Sequence, residues 1–208
     1  MKHHLYTLLC LGDSYTIGEA VSESERFPTQ AVALLKNERI DFEEPLIIAK
    51  TGWTTDELSF AIAQENLTKQ FDFVTLLIGV NNQYRGRDTA NYRQEFRNLL
   101  NTALRYTNGQ SSRVFVFSIP DWGVTPFAKS DKRGEKKIGE EIDMYNAINS
   151  DEAHKAGVHY IDITPVSRMA KTDISLIAID GLHPSGNMYK LWAKLLVEKM
   201  YPYLRIKH

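Results

Sequence analysis

Leu5-Tyr6-Thr7-Leu8-Leu9-Cys10-Leu11-Gly12-Asp13-Ser14 is the stretch on which the fold turns. The run from Leu5 to Leu11 is almost wholly apolar, and it breaks abruptly at a Gly-Asp-Ser turn. A strand with no polar face belongs in a parallel sheet covered on both sides. The run is too short to cross a bilayer, which takes about 20 apolar residues. Gly12, Asp13 and Ser14 follow it at once, without the longer apolar stretch and small-residue cleavage site of a signal peptide. It therefore reads as a buried first strand of a cytoplasmic protein, in which the sequon Asn66-Leu67-Thr68 is incidental.

Outward from that strand, short apolar runs alternate with longer helical patterns. Strands are expected at Leu46–Ala49, Phe73–Ile78, Val114–Ile119 and Val158–Ile161, most of them too continuously apolar to have a wet face. Helices are expected at Thr29–Glu38, with Pro28 near its start, and at Thr55–Leu67, which opens on a capping pattern at Thr55 with acids in its first turn. Further helices are expected at Asn91–Tyr106, within Lys136–Lys155, and at Ser185–Met200, where Ser185 is the N-cap and Leu191, Leu195 and Met200 fall near one stripe. Alternation of this kind predicts a three-layer α/β/α architecture around a parallel sheet. With 208 residues and no repeat or linker, residues 1–208 are expected to form one domain. Pro120–Gly134 is the long irregular stretch, readable as a solvated loop or as a loop that lines a substrate.

The balance of 25 basic and 26 acidic side chains, a formal net charge of -1, supplies no electrostatic reason for nucleic acid or an anionic membrane as partner. The single cysteine, Cys10, excludes an internal disulfide. No G-x-G-x-x-G is present, and the nearest imitation of a phosphate loop, Gly134 to Gly139, ends in Glu140. No H-E-x-x-H or clustered aspartate pattern points to a metal.

Ligands of open parallel sheets bind beyond the carboxyl ends of the strands, so the residues that follow each strand matter most. They are Gly12-Asp13-Ser14-Tyr15, Lys50-Thr51-Gly52-Trp53, Gly79-Val80-Asn81-Asn82 and, before the last helix, Asp180-Gly181-Leu182-His183-Pro184. Asp180 and His183 are close enough on one loop for the carboxylate to orient the imidazole, as a base that activates a serine requires. Ser14 supplies a nucleophile, while its own N–H, the Gly52 N–H and the Asn81 amide supply donors for an oxyanion. Each residue also has a plain structural use: a turn cap for Asp180, a surface position for His183, a helix entry for Ser14, a turn for Gly52 and a loop bond for Asn81. Their recurrence at the same edge of one sheet favours catalysis. His3, His4, His154, His159 and His208 lack such surroundings. Thr16 occupies the second glycine position of G-x-S-x-G, which argues against an α/β-hydrolase elbow.

Gly12-Asp13-Ser14, Gly52, Gly79-Val80-Asn81-Asn82 and Asp180-Gly181-Leu182-His183-Pro184 resemble, in order, the four sequence blocks of the SGNH or GDSL hydrolases. Ile119-Pro120-Asp121 and Val124-Thr125-Pro126-Phe127 are similar to some bacterial members. The resemblance implies a flavodoxin-like five-stranded sheet of order 2-1-3-4-5, Ser14 as nucleophile with Asp180 and His183 as relay, and an oxyanion hole of Ser14, Gly52 and Asn81. It also implies an esterase without metal or cofactor, acting on small acyl esters, lysophospholipids, thioesters or acetylated sugars. Tyr15 stands in place of the usual leucine, and Asn82 in place of a frequent aspartate. The expected reaction is two-step acyl transfer on a small-molecule ester, with Trp53, Trp122 and Phe127 as substrate contacts. A non-catalytic doubly wound binding module is the competing class. Such a scaffold is expected to have lost one of these groups, and this chain keeps them all.

Overall fold

A computed structural model describes residues 4–204. Five parallel strands form one sheet in the order β2-β1-β3-β4-β5. They are β1 (Leu8–Gly12), β2 (Leu46–Ala49), β3 (Phe73–Leu77), β4 (Val114–Phe117) and β5 (His159–Ile161). Strands β1, β3 and β4 are buried along their whole length. The two edge strands are wetter than their apolar sequences suggest, with Leu46 exposed on β2 and His159 and Tyr160 half-buried on β5, because each has a neighbour on one side only. The first strand starts at Leu8 rather than Leu5, whose side chain is half exposed.

The helices are α1 (Ser14–Ile17), α2 (Phe27–Asn37), α3 (Thr55–Gln64), α4 (Val80–Tyr84), α5 (Thr89–Tyr106), α6 (Gly134–Ala156), α7 (Thr164–Arg168) and α8 (Gly186–Met200). α2 packs against α8, while α5 packs against both α3 and α6, so the helices form two groups around the sheet. No helix among the described residues is long and apolar enough to cross a membrane. The capping box of α3 lies one residue earlier than expected: the Thr54 N–H donates to Glu57 (2.8 Å), and the Thr54 hydroxyl also bonds that carboxylate. Ser185 caps α8 as predicted. Its buried stripe is Met188, Trp192, Leu196 and Met200, spaced by fours, with Leu191 and Leu195 flanking it half-buried.

Register sets where the loops emerge. Gly12 pairs with Ala49 on one side and Leu77 on the other, so β1, β2 and β3 end level. Immediately beyond Gly12, the Asp13 carboxylate caps α1, its Oδ1 accepting from the Tyr15 N–H at 3.0 Å. That carboxyl group is 1 % exposed, and among the described residues its Oδ2 has no partner. Burial pushes its pKa up from 3.8 to about 7, although the bond from Tyr15 opposes the shift.

Phe27 is fully buried between Phe117 (ring centroids 5.0 Å), Tyr189 and Trp192. Phe27→Ala is expected to lower unfolding free energy by about 3–5 kcal/mol in urea titrations. Phe60→Ala, at a site 68 % exposed, should stay within about 0.5 kcal/mol of the parent. For Asp13, the native chain holds a proton between pH 4 and 7 that the unfolded chain has already released. Stability is therefore lost as pH rises through that window. Asp13→Asn keeps an acceptor for Tyr15 and carries no charge. Its gain over the parent should be larger at pH 8 than at pH 4 by about 2–4 kcal/mol, since a tenfold change in proton affinity is worth about 1.4 kcal/mol. An equal gain at both pH values would contradict the assignment.

Candidate active site

Ser14 is the first residue of α1, directly beyond β1, and is 5 % exposed. Its N–H is at a helix start, where no preceding turn supplies an acceptor. Cys10, the nearby thiol, is sealed inside β1, and burial pushes it up to about 12, so it does not compete as a nucleophile.

Beyond β2, a tight turn is closed by the Trp53 N–H donating to the Lys50 carbonyl (3.2 Å). Gly52 has φ +85°, a conformation that side chains disfavour. Beyond β3, Gly79 at φ +126° starts α4, where a Cβ would fall 2.3 Å from the Tyr92 hydroxyl. Asn81 then donates from Nδ2 to the Trp53 carbonyl at 2.9 Å. A primary amide has two N–H groups, so one remains for a ligand.

Asn82 has a different task. It is fully buried, accepts from the Thr55 N–H at 3.1 Å and donates to the Thr55 hydroxyl at 2.7 Å. The Thr55 hydroxyl in turn donates to Glu95. With its hydrogen committed to Glu95, the hydroxyl oxygen needs a donor, which an asparagine supplies and an ionised aspartate does not. Asn82 thus pins α4 to the start of α3.

The fourth segment is a hairpin. Ile177 pairs with Pro184, and the Ala178 N–H donates to the His183 carbonyl at 2.7 Å. Inside it, Asp180 Oδ1 accepts from the N–H groups of Leu182 and His183, both at 3.0 Å. Asp180 Oδ2 accepts from His183 Nδ1 at 2.6 Å. Asp180 therefore caps its own turn and also orients the imidazole. Burial raises its pKa, but the bonds from the His183 ring and the two N–H groups outweigh this and hold the carboxyl below its ordinary range. With the proton on Nδ1, the lone pair of His183 is on Nε2.

Ser14, Gly52, Asn81 and His183 border one cavity of about 180 Å³. Ser14 and His183 share its wall without a hydrogen bond between their side chains. The rest of the lining is mainly apolar and includes Tyr15, Val80, Tyr84 and Leu182, substrate-facing positions beyond the three aromatic residues expected from the sequence. Trp122 and Phe127 line it as well. Trp53 does not: its side chain borders a neighbouring groove with Phe60 and Glu57. A wider cleft of about 590 Å³, lined from α3 and α5, contains none of these groups.

The segment after β4 forms two 3-10 turns, Trp122–Val124 and Pro126–Ser130. Its aromatic residues face the cavity, whereas Lys129 is exposed. The Trp122 Nε1–H donates to Gln83 Oε1 at 2.8 Å, and Gln83 Nε2 donates to Glu141 at 2.7 Å. The Arg133 guanidinium stacks over both Trp122 (5.2 Å) and Tyr84 (5.5 Å). The Phe127 N–H donates to the Gly181 carbonyl (3.0 Å), joining this wall to the His183 hairpin.

The remaining described histidines are elsewhere: His4 bonds Asp72, His154 bonds the Ser150 carbonyl and His159 stacks on Phe115. His3 and His208 fall outside the described residues. Among the described residues no group of three or more His, Cys, Asp or Glu is placed to hold a metal ion.

Comparison with known proteins places this architecture. A lipase/acylhydrolase from Enterococcus faecalis superimposes with a TM-score of 0.72 at 21% identity, covering 98% of this chain and 100% of that one. Axe2, an acetylxylan esterase from Geobacillus stearothermophilus, gives 0.72 at 16% identity with 96% of each chain covered. TesA gives 0.71 at 16% identity, over 94% of this chain and 98% of that one. At these identities the likeness is one of fold. A search of curated protein sequences gave no match. The model of the GDSL-like lipase/acylhydrolase family matches residues 10–191. Because that match runs from within β1 into α8 and takes in every strand, the chain belongs to the GDSL-like lipase/acylhydrolase family.

Proposed function

We propose that the protein is a serine esterase that transfers the acyl group of a small carboxylic ester to water. The observation that carries this reading is the Asp180–His183 pair bordering the same cavity as Ser14, Gly52 and Asn81. Ser14 Oγ attacks the ester carbonyl while His183 Nε2 takes its proton. The tetrahedral oxyanion receives hydrogen bonds from the Ser14 and Gly52 N–H groups and from Asn81 Nδ2. Collapse expels the alcohol, which takes the proton back from His183. Water then adds to the acyl-enzyme through the same base and restores Ser14. Asp180 stays ionised, holds the Nδ1–H tautomer and offsets the imidazolium charge.

The cavity, at about 180 Å³, is smaller than the roughly 300–1,000 Å³ of typical ligand sites. The apolar lining suits an acyl chain, and the small volume suits a short one better than a long one. The acetylxylan esterase among the structural neighbours has a substrate of that kind by name.

Labelling and kinetics test the assignment together. A fluorophosphonate should modify the protein once, and Ser14→Ala should abolish both labelling and hydrolysis of 4-nitrophenyl acetate. Asp180→Asn is expected to lower kcat by up to about 10⁴ and His183→Ala by at least as much. Ser14→Ala combined with His183→Ala should cost little more than either alone, since the residues act as a unit. Labelling that survives in folded Ser14→Ala protein, or additive losses, would refute the triad.

The role of Asn81 has a separate signature. Asn81→Ala should reduce kcat by about 10²–10³ with KM little changed, because the charge it stabilises exists only in the transition state. Intact kcat with a lowered melting temperature would assign Asn81 to the Trp53 loop alone.

A further inference from the structure

We infer that Arg85 is a positioning residue for the oxyanion site, holding the turn that carries the Gly52 N–H. This rests on the esterase reading above. Arg85 directly follows α4, four residues after Asn81, so the two side chains leave the same face of that turn. They grip consecutive carbonyls of the loop beyond β2. Arg85 Nη2 donates to the Gly52 carbonyl at 2.6 Å, and Asn81 Nδ2 donates to the Trp53 carbonyl at 2.9 Å. Arg85 Nη1 is steadied by Glu57 at 3.4 Å, and Glu57 is itself anchored in the capping box of α3.

The turn explains why that grip matters. Lys50 to Trp53 is closed by a hydrogen bond from the Trp53 N–H to the Lys50 carbonyl, and Gly52, its third residue, has φ +85°. That is the third-residue conformation of a type II turn, where φ is about +80°. The Gly52 N–H belongs to the central peptide of this turn. Types I and II differ by a flip of that central peptide, which reverses the direction of its N–H and carbonyl. A flipped turn would present the Thr51 carbonyl oxygen where an oxyanion needs a donor. Glycine permits both forms, so residue type alone leaves the choice open. That flip leaves the flanking peptides in place, so the bond from Arg85 acts on the position of the turn rather than on the choice of form: together with Asn81 it fixes the Gly52–Trp53 backbone, and with it the Gly52 N–H, against α4, and it brings a positive charge close to the site where negative charge develops. Arg85 is 42% exposed, so its removal takes no buried apolar surface from the core.

Steady-state hydrolysis of the neutral ester 4-nitrophenyl acetate tests this, with the parent, Arg85→Ala, Arg85→Lys, Arg87→Ala and Ser14→Ala measured side by side. Arg85→Ala is expected to lose about tenfold or more in kcat, less than removal of a donor itself, with KM within about threefold. Low-millimolar guanidinium should restore part of that loss in Arg85→Ala and none in the parent, and Arg85→Lys should retain part of it. Arg87→Ala, which breaks the neighbouring surface pair with Asp56, should keep kcat within about twofold. The Asn81→Ala/Arg85→Ala double variant should lose less than the product of the single losses, since both hold one loop. An unchanged kcat in Arg85→Ala, a change confined to KM, or a kcat loss that neither guanidinium nor lysine relieves would overturn the inference. Loss of activity in Ser14→Ala with Arg85→Ala unaffected overturns this inference alone. Activity retained in Ser14→Ala overturns the esterase reading on which it rests.

Discussion

The level ending of β1, β2 and β3 is the constraint on which the site depends. Gly12 lies between Ala49 and Leu77 in the ladder, so the chain leaves three adjacent strands at one height. Parallel pairing makes this possible, because every strand presents its carboxyl end to the same edge. A slip of one residue in any pair would move a loop by about 3.3 Å and turn the side chains of that strand to the opposite face. Because β1 and β3 are buried along their whole length, the close fit of their side chains on both faces resists such a slip.

A short helix then distributes the consequences. From Asn81 to Arg85, five consecutive residues serve four parts of the site. Asn81 and Arg85 hold the loop beyond β2, Asn82 binds Thr55 on α3, Gln83 binds Trp122, and Tyr84 lines the cavity. Successive side chains on a helix diverge by about 100°, so a helix too short to contribute much packing serves as a hub for four neighbours. The polar bonds involved at Asn82 and Gln83 are buried, where an unpaired amide is costly and a satisfied one gives rigidity. This edge of the cavity is thus held by directional bonds, on a foundation held by apolar packing.

The aromatic wall follows the same logic. Trp122 packs against Tyr84 and Phe127 edge to face and is backed by Arg133, while its one polar atom is satisfied by Gln83. An apolar surface on one side and a charged backing on the other keep the wall in place without filling the cavity.

The sequence by itself determined the sheet. Continuous apolar runs locate all five strands to within three residues at each end, since a strand buried on both faces has no polar period to blur it. It also made Ser14, Asp180 and His183 legible: Asp180 and His183 meet within one hairpin, and Ser14 follows the strand that the apolar run marks. Local patterns misled where neighbouring signals overlap, as at Thr54 and Thr55, where the acid three residues on identifies the true cap. Helices α1, α4 and α7 are too short for periodicity to reveal. Only the tertiary structure decided which side chains line the cavity and what holds them there. The partners of Trp122 and Gly52 are 39 and 33 residues away in the chain, at Gln83 and Arg85. Trp53, beside Gly52 in sequence, has its side chain in a different groove. Contacts of that range are set by strand order and register, and a hydrogen bond between distant residues leaves no periodic trace in either segment.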